Sequence, residues 1–219
     1  MITTQRLLIT AFTTFSLFSS FITHAEQLSV KVKSLQGEAV DAVVYLDAGV
    51  KNSNYAGNDV AIMDQIDRQF SPYILAIQQG QPVSFPNSDS IKHHVYSFSP
   101  AKVFELELYK EGNVPPLTFE KAGVVELGCN VHDWMLGYIF VAPNPFYART
   151  NDNGEALIQA PKGQYQIKIW HPRLNNADLG QAITVDLTEN TQTEITLTAE
   201  LAPDTSFYGD DVDEFAEYE

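Results

Sequence analysis

Gly128-Cys129-Asn130-Val131-His132-Asp133-Trp134-Met135 carries the only cysteine of this 219-residue chain. Thiolate, imidazole and thioether stand there at Cys-x2-His-x2-Met spacing. Thiolate and thioether are soft donors that favour Cu(I), whereas imidazole serves both copper oxidation states. A trigonal His2Cys site with a weak axial Met suits neither state fully, so little has to move when an electron arrives. A second imidazole must come from elsewhere, and Lys92-His93-His94-Val95 lies upstream. Val124-Val125-Glu126-Leu127 and Tyr138-Ile139-Phe140-Val141 flank the motif with β-formers, and Gly128 and Gly137 bracket it. A helix would also bring i, i+3 and i+6 to one side, but the flanks favour strand, short loop, strand.

Outward from the motif the pattern stays β. Leu28-Ser29-Val30-Lys31-Val32-Lys33 alternates apolar and polar, and a turn at Gln36-Gly37 leads into Ala42-Val43-Val44-Tyr45-Leu46. Tyr73–Ile77, Pro82–Phe85, Val95–Phe98 and Phe104–Tyr109 read as further strands. Asn151-Asp152-Asn153-Gly154 and Pro161-Lys162-Gly163 are turn sequences, followed by the alternating Gln164–Ile169, Ile183–Leu187 and Ile195–Leu197. Short strands at frequent turns, with no sustained helical period, predict an all-β chain of sandwich architecture.

Residues 1–25 read as a secretory signal peptide: Arg6, an apolar run from Leu7 to Phe21, and Thr23-His24-Ala25 as cleavage site. A membrane anchor is the alternative, but the run is short and rich in Thr and Ser. The expectation is an exported, periplasmic chain without stable membrane insertion. The remaining 194 residues hold 12 basic and 28 acidic residues, which makes nucleic acid and anionic membranes unsuitable partners. The run Asp210–Glu219 reads as an acidic, solvated tail. A lone cysteine cannot close an internal disulfide. By itself it is as readily a buried structural residue as a ligand, but His132 and Met135 at their offsets favour metal ligation.

Val83-Ser84-Phe85-Pro86-Asn87 with His93 downstream, then Ala122-Gly123-Val124 leading to Cys129, His132 and Met135, resembles the cupredoxin family. The short ligand loop is most similar to that of amicyanin-like members. The resemblance implies a Greek-key β-sandwich holding one type 1 (blue) copper, with His93, Cys129 and His132 equatorial and Met135 axial. It also implies that Asn87 braces the two ligand loops. Lys92 stands where proline is usual, and His94 where Asn or Thr is usual. Either imidazole could ligate, but neighbours on a strand face opposite ways, and the spacing to Asn87 favours His93.

Ser34–Leu46, Arg149–Gly154 and Pro161–Trp170 resemble the hairpins of a carboxypeptidase-regulatory-like (transthyretin-like) module. The layout that follows is a signal peptide over 1–25, the first part of that module over 28–54 and a cupredoxin over 58–142. The second part of the module follows over 143–200, then the acidic tail over 201–219. The whole resembles periplasmic proteins named for methylamine utilisation.

Other residues read more plainly. Met63 is expected to pack in a core, as are Tyr96, Phe98, Phe104 and Phe119. His171 is expected to be a surface or capping histidine, and Asp133 either orients His132 or is an exposed loop acid. There is no G-x-S-x-G elbow, H-E-x-x-H motif or phosphate loop, so the chain reads as a carrier rather than an enzyme. Zinc is disfavoured by Met135. The leading expectation is single-electron transfer between redox partners, one of them a basic, cytochrome-like protein. A non-redox copper carrier or store, and a protein- or carbohydrate-binding β module with incidental copper, are the alternatives.

Overall fold

The computed structural model describes residues 25–47, 49, 53–110, 114–174 and 183–203. The signal-peptide run and most of the acidic tail lie outside these residues. Among them there is no helix long and apolar enough to cross a membrane. The strands are β1 (Ala25–Lys33), β2 (Val43–Asp47), β3 (Ala61–Ile62), β4 (Asp64–Ile66), β5 (Gln69–Ser71), β6 (Ile74–Gln78), β7 (Pro82–Ser84), β8 (His93–Ser99) and β9 (Lys102–Tyr109). They continue with β10 (Leu117–Thr118), β11 (Gly123–Cys129), β12 (His132–Ala142), β13 (Tyr147–Arg149), β14 (Glu155–Pro161), β15 (Gly163–Trp170), β16 (Ile183–Leu187) and β17 (Thr191–Thr196). The protein is all-β.

Two sandwiches result. In the first, a five-stranded sheet in the order β6-β12-β11-β8-β9 faces β10-β7-β3, with the β4–β5 hairpin beside them. Its core takes Val95, Val125, Leu127, Ile139 and Val141 from the larger sheet and Met63, Val83, Phe85 and Phe119 from the other side. In the second, β14-β1-β17 packs on β13-β2-β15-β16. There the alternation of Leu28, Val30 and Val32 puts one face of β1 against Val44, Leu46 and Ile167. Among the described residues, the strands before residue 48 pair only with strands after residue 146.

The two sandwiches share a buried seam. Phe140 and Ile74 on the outer face of β12 and β6 meet Val43 and Trp170 of β2 and β15. The Trp170 ring lies 5.3 Å from Phe140 and 5.9 Å from Tyr138. Large aromatic side chains held this way contribute roughly 1.5–3 kcal/mol each by burial.

Met63 and Phe119 are fully buried, as expected. Phe98 is not: it is 79% exposed, while Ser97 beside it is buried. The reason is strand parity. Once His93 and Val95 point inward, Ser97 follows them and His94, Tyr96 and Phe98 are turned to the opposite face. Tyr96 is half-buried against Gly128, where a Cβ would stand 2.7 Å from its Cζ. His171 is buried rather than at the surface, and its Nδ1 accepts from the Arg173 N–H at 3.0 Å.

Candidate metal centre

The motif Cys129–Met135 is tighter than a loop between strands. β11 runs to Cys129, β12 starts at His132, and only Asn130-Val131 turn between them. The register passes from Gly128↔Leu136 to Cys129↔His132, so Asp133, Trp134 and Met135 are extra residues on β12. In an unbroken strand residues three apart face opposite ways, and a bulge lifts that restriction. His132 meets the sulfur, while Met135 is buried in the same apolar cluster as Cys129. Gly137 just beyond is required by close approach, because a Cβ would stand 2.7 Å from Cβ of Phe70 on β5.

His93 opens β8 and is fully buried; Cys129 closes β11, and Val95 of β8 pairs with it. Cys129 Sγ lies 3.8 Å from His93 Nδ1 and 3.6 Å from His132 Nδ1. The three donor atoms all lie within 4.8 Å of one another. A nitrogen about 2.0 Å and a sulfur about 2.3 Å from one ion, spread at about 120°, stand about 3.7 Å apart. The residues present therefore fit a trigonal first-row metal. His94, the competing imidazole, points the other way and pairs with Glu105 at 2.9 Å.

The surroundings favour a thiolate. Burial pushes the Cys129 thiol up, but the His93 imidazole and the backbone N–H groups of His94 and Val131 outweigh it and lower its pKa. Burial likewise opposes charge on His93, yet the contacts to Cys129 and Asp89 raise its pKa. His132 is lowered, first by burial and then by the nearby charges of His93 and Arg68. A ligand set of this kind must give up protons when a metal enters.

Asp89 is the residue that sequence reasoning missed. Its Oδ2 is 2.7 Å from His93 Nε2, which leaves Nδ1 turned to the sulfur. The same carboxylate accepts from the backbone N–H of Asp67 at 2.8 Å and of Arg68 at 2.9 Å. Those two residues form the β4–β5 turn with φ of 52° and 59°, a region that side-chain-bearing residues enter at a cost. One carboxylate thus holds the His93 imidazole and a strained turn together. The only hint in the sequence is an acid four residues before the histidine. Asp133, by contrast, is exposed, and its side chain makes no hydrogen bond to His132.

Asn87 braces differently from the expectation. Its Nδ2 donates to the carbonyls of Ile91 and Tyr109, at 2.9 and 3.0 Å, and its Oδ1 accepts from the Asp89 N–H. It fixes the His93 loop against β9 rather than against the cysteine loop. The His93 and Cys129 segments are joined instead by the pairing of β8 with β11, which the Asn130 N–H extends by donating to the His94 carbonyl at 3.2 Å. The rim consists of exposed Val131, half-buried His132 and half-buried Trp134, whose ring lies 5.3 Å from that of His132.

No family model and no curated protein matches this chain. Among solved structures, a purple cupredoxin from Nitrosopumilus maritimus is 26% identical over 37% of this chain and 99% of its own, with a TM-score of 0.34. An amicyanin variant in its reduced Cu(I) form is 18% identical over 45% of this chain and 98% of its own, with a TM-score of 0.35. A Cu-containing nitrite reductase from Thermus scotoductus SA-01 is 19% identical over 51% of this chain and 28% of its own, with a TM-score of 0.36. The chain is an all-β protein of two sandwiches, one of which gathers His93, Cys129 and His132 within reach of a single ion.

Proposed function

We propose that this chain is an exported, periplasmic carrier of single electrons built on one mononuclear type 1 copper. The observation that supports this most is the triangle of His93 Nδ1, Cys129 Sγ and His132 Nδ1, with sulfur–nitrogen separations of 3.8 and 3.6 Å. Cys129, His93 and His132 would hold the copper, and Met135, buried in the same cluster as Cys129, would be the fourth donor. Bound copper supplies the capacity to take up and release one electron.

The chain's own residues do the rest. Asp89 fixes the tautomer and orientation of His93, as outer partners of ligand histidines do. The N–H groups of His94 and Val131 face the sulfur and stabilise its charge. Phe85, Leu127 and Met135 bury the inner side and keep water out. His132 is the imidazole nearest solvent and is the point where an electron enters or leaves. The 28 acidic residues against 13 basic favour a basic redox partner such as a cytochrome, met by electrostatic steering.

Reconstitution with Cu(II) tests the reading. Type 1 geometry gives an intense thiolate-to-copper absorption in the visible range, a narrow copper hyperfine splitting and a reversible one-electron wave. A weakly coloured complex with a wide splitting rejects it. Ready exchange of copper without a reversible wave favours the non-redox carrier instead.

A further inference from the structure

The outer face of the five-stranded sheet is covered over only half its width. Over β6 and β12 the second sandwich buries Ile74 and Phe140. Over β8 and β9 the described residues leave the same face bare, and its centre is apolar. Phe98 is 79% exposed and Val103, paired with it across the hairpin, is 66% exposed. The Tyr96 ring lies 5.3 Å from Phe98, so three apolar groups form one patch. One exposed side chain would need no explanation, whereas a contiguous apolar patch with a polar rim is the form that interaction sites take.

Charge says what kind of partner fits. Glu105 pairs directly across from Tyr96, and although it reaches His94 Nε2 its side chain stays 67% exposed. Glu107 and Glu126 are exposed as well, and the Glu126 N–H donates to Ser99 Oγ, which sets it beside the end of β8. Exposed Lys92 and Lys110 lie at the far end of the hairpin, beyond His93 and Tyr109, and the two cations at its tip are engaged. Lys121 Nζ donates to the Pro100 carbonyl, and Lys102 Nζ lies over the Phe119 ring. An aromatic centre with a carboxylate rim suits a partner with an apolar centre and a cationic rim. A second copy of this chain is disfavoured, because both faces would bring the same carboxylates, on a chain of net charge −15.

The patch is also close to the candidate metal centre. Gly128 pairs with Tyr96 and immediately precedes Cys129, so the ring rests on backbone one residue from the sulfur. We infer that the outer face of β8 and β9, centred on Tyr96, Phe98 and Val103 and rimmed by Glu105, Glu107 and Glu126, docks a cationic one-electron redox protein. This rests on the electron-carrier reading and gives it a second face, apart from the Val131–Trp134 rim.

The metal-free, isotope-labelled chain titrated with a basic ferricytochrome c tests the surface by amide shifts. The footprint should centre on residues 96–105 and weaken as salt rises. Phe98→Ala should weaken binding roughly fivefold or more, as loss of a central aromatic anchor does. Glu105→Gln with Glu126→Gln should flatten the salt dependence. These side chains are exposed, so unchanged melting temperatures show that the variants still fold. A footprint on Val131 and Trp134 instead, indifference to Phe98→Ala, or self-association through this face in sedimentation overturns the proposal. If copper gives no type 1 spectrum while the metal-free chain keeps this footprint, the electron-carrier reading falls and the docking surface stands.

Discussion

The two sandwiches are built from the same material and differ in where they break their own rules. In the second, β14 alternates exposed and buried without a fault, and β1 pairs with both neighbours in unbroken register. In the first, the register slips at Cys129, a two-residue turn takes positive φ at Asp67 and Arg68, and His93 is buried against the Cys129 sulfur. Each of these irregularities touches the candidate metal centre. Regular pleating gives stability, whereas a constellation of donors from three strands requires that the pleat be interrupted. Such departures collect where a protein does its chemistry.

The largest effect that separates the two regions is expected from Cys129→Ser. It should abolish the visible absorption of the copper-loaded protein while moving unfolding free energy by only about 1 kcal/mol. Absorption surviving that substitution would remove the sulfur from the centre. Trp170→Ala should do the reverse. Emptying the seam costs about 3–5 kcal/mol in denaturant unfolding, and the copper spectrum of the folded fraction stays as it was. A spectral change would show that the second sandwich shapes the site.

Next comes Asp89→Asn, which disturbs a partner of His93 without touching a donor atom of the triangle. Copper affinity, read by competition with a chelator, should fall about 10–100-fold. Acid should expose the same link in the metal-free protein. Burial alone would push the Asp89 carboxyl up, but the N–H of Arg68, the His93 ring and the N–H of Asp67 hold it below its ordinary value. Its contribution is therefore present above an unfolded pKa of about 3.9 and is lost as pH falls through the lower folded value. Denaturant midpoints between neutral and acid pH should show a loss in this range that Asp89→Asn removes. The smallest effect belongs to the bidentate Arg149–Asp41 pair of the second sandwich, with both nitrogen–oxygen contacts at 2.7 Å and both side chains well exposed. Arg149→Ala should cost no more than about 1 kcal/mol and less in high salt.

What could be read beforehand follows from range. Period-two alternation in Leu28–Lys33 and Gln164–Ile169 is local, and β1 and β15 lie there. Cys129 and His132 share one turn, so their meeting was also a local matter. Preferring His93 over His94 needed only the opposite facing of neighbours. That same parity, carried five residues further, puts Phe98 outside; hydropathy pointed the other way and was a poorer guide than geometry. Asp89 was illegible for a different reason. Its partners are backbone groups of a turn some twenty residues earlier, and no side-chain spacing encodes a hydrogen bond to a peptide N–H.

The parallel pairing of β1 with β17 has a consequence for how the molecule is made. Leu28 waits for Thr191, so the outer layer cannot close until nearly all the polypeptide has been delivered. The strands from Ala61 to Ala142 find all their sheet partners among themselves and are free to fold in the interval. Long-range pairing of this kind is slow. The sandwich that carries the candidate metal centre can therefore mature first, and the second sandwich closes onto its Ile74–Phe140 face afterwards.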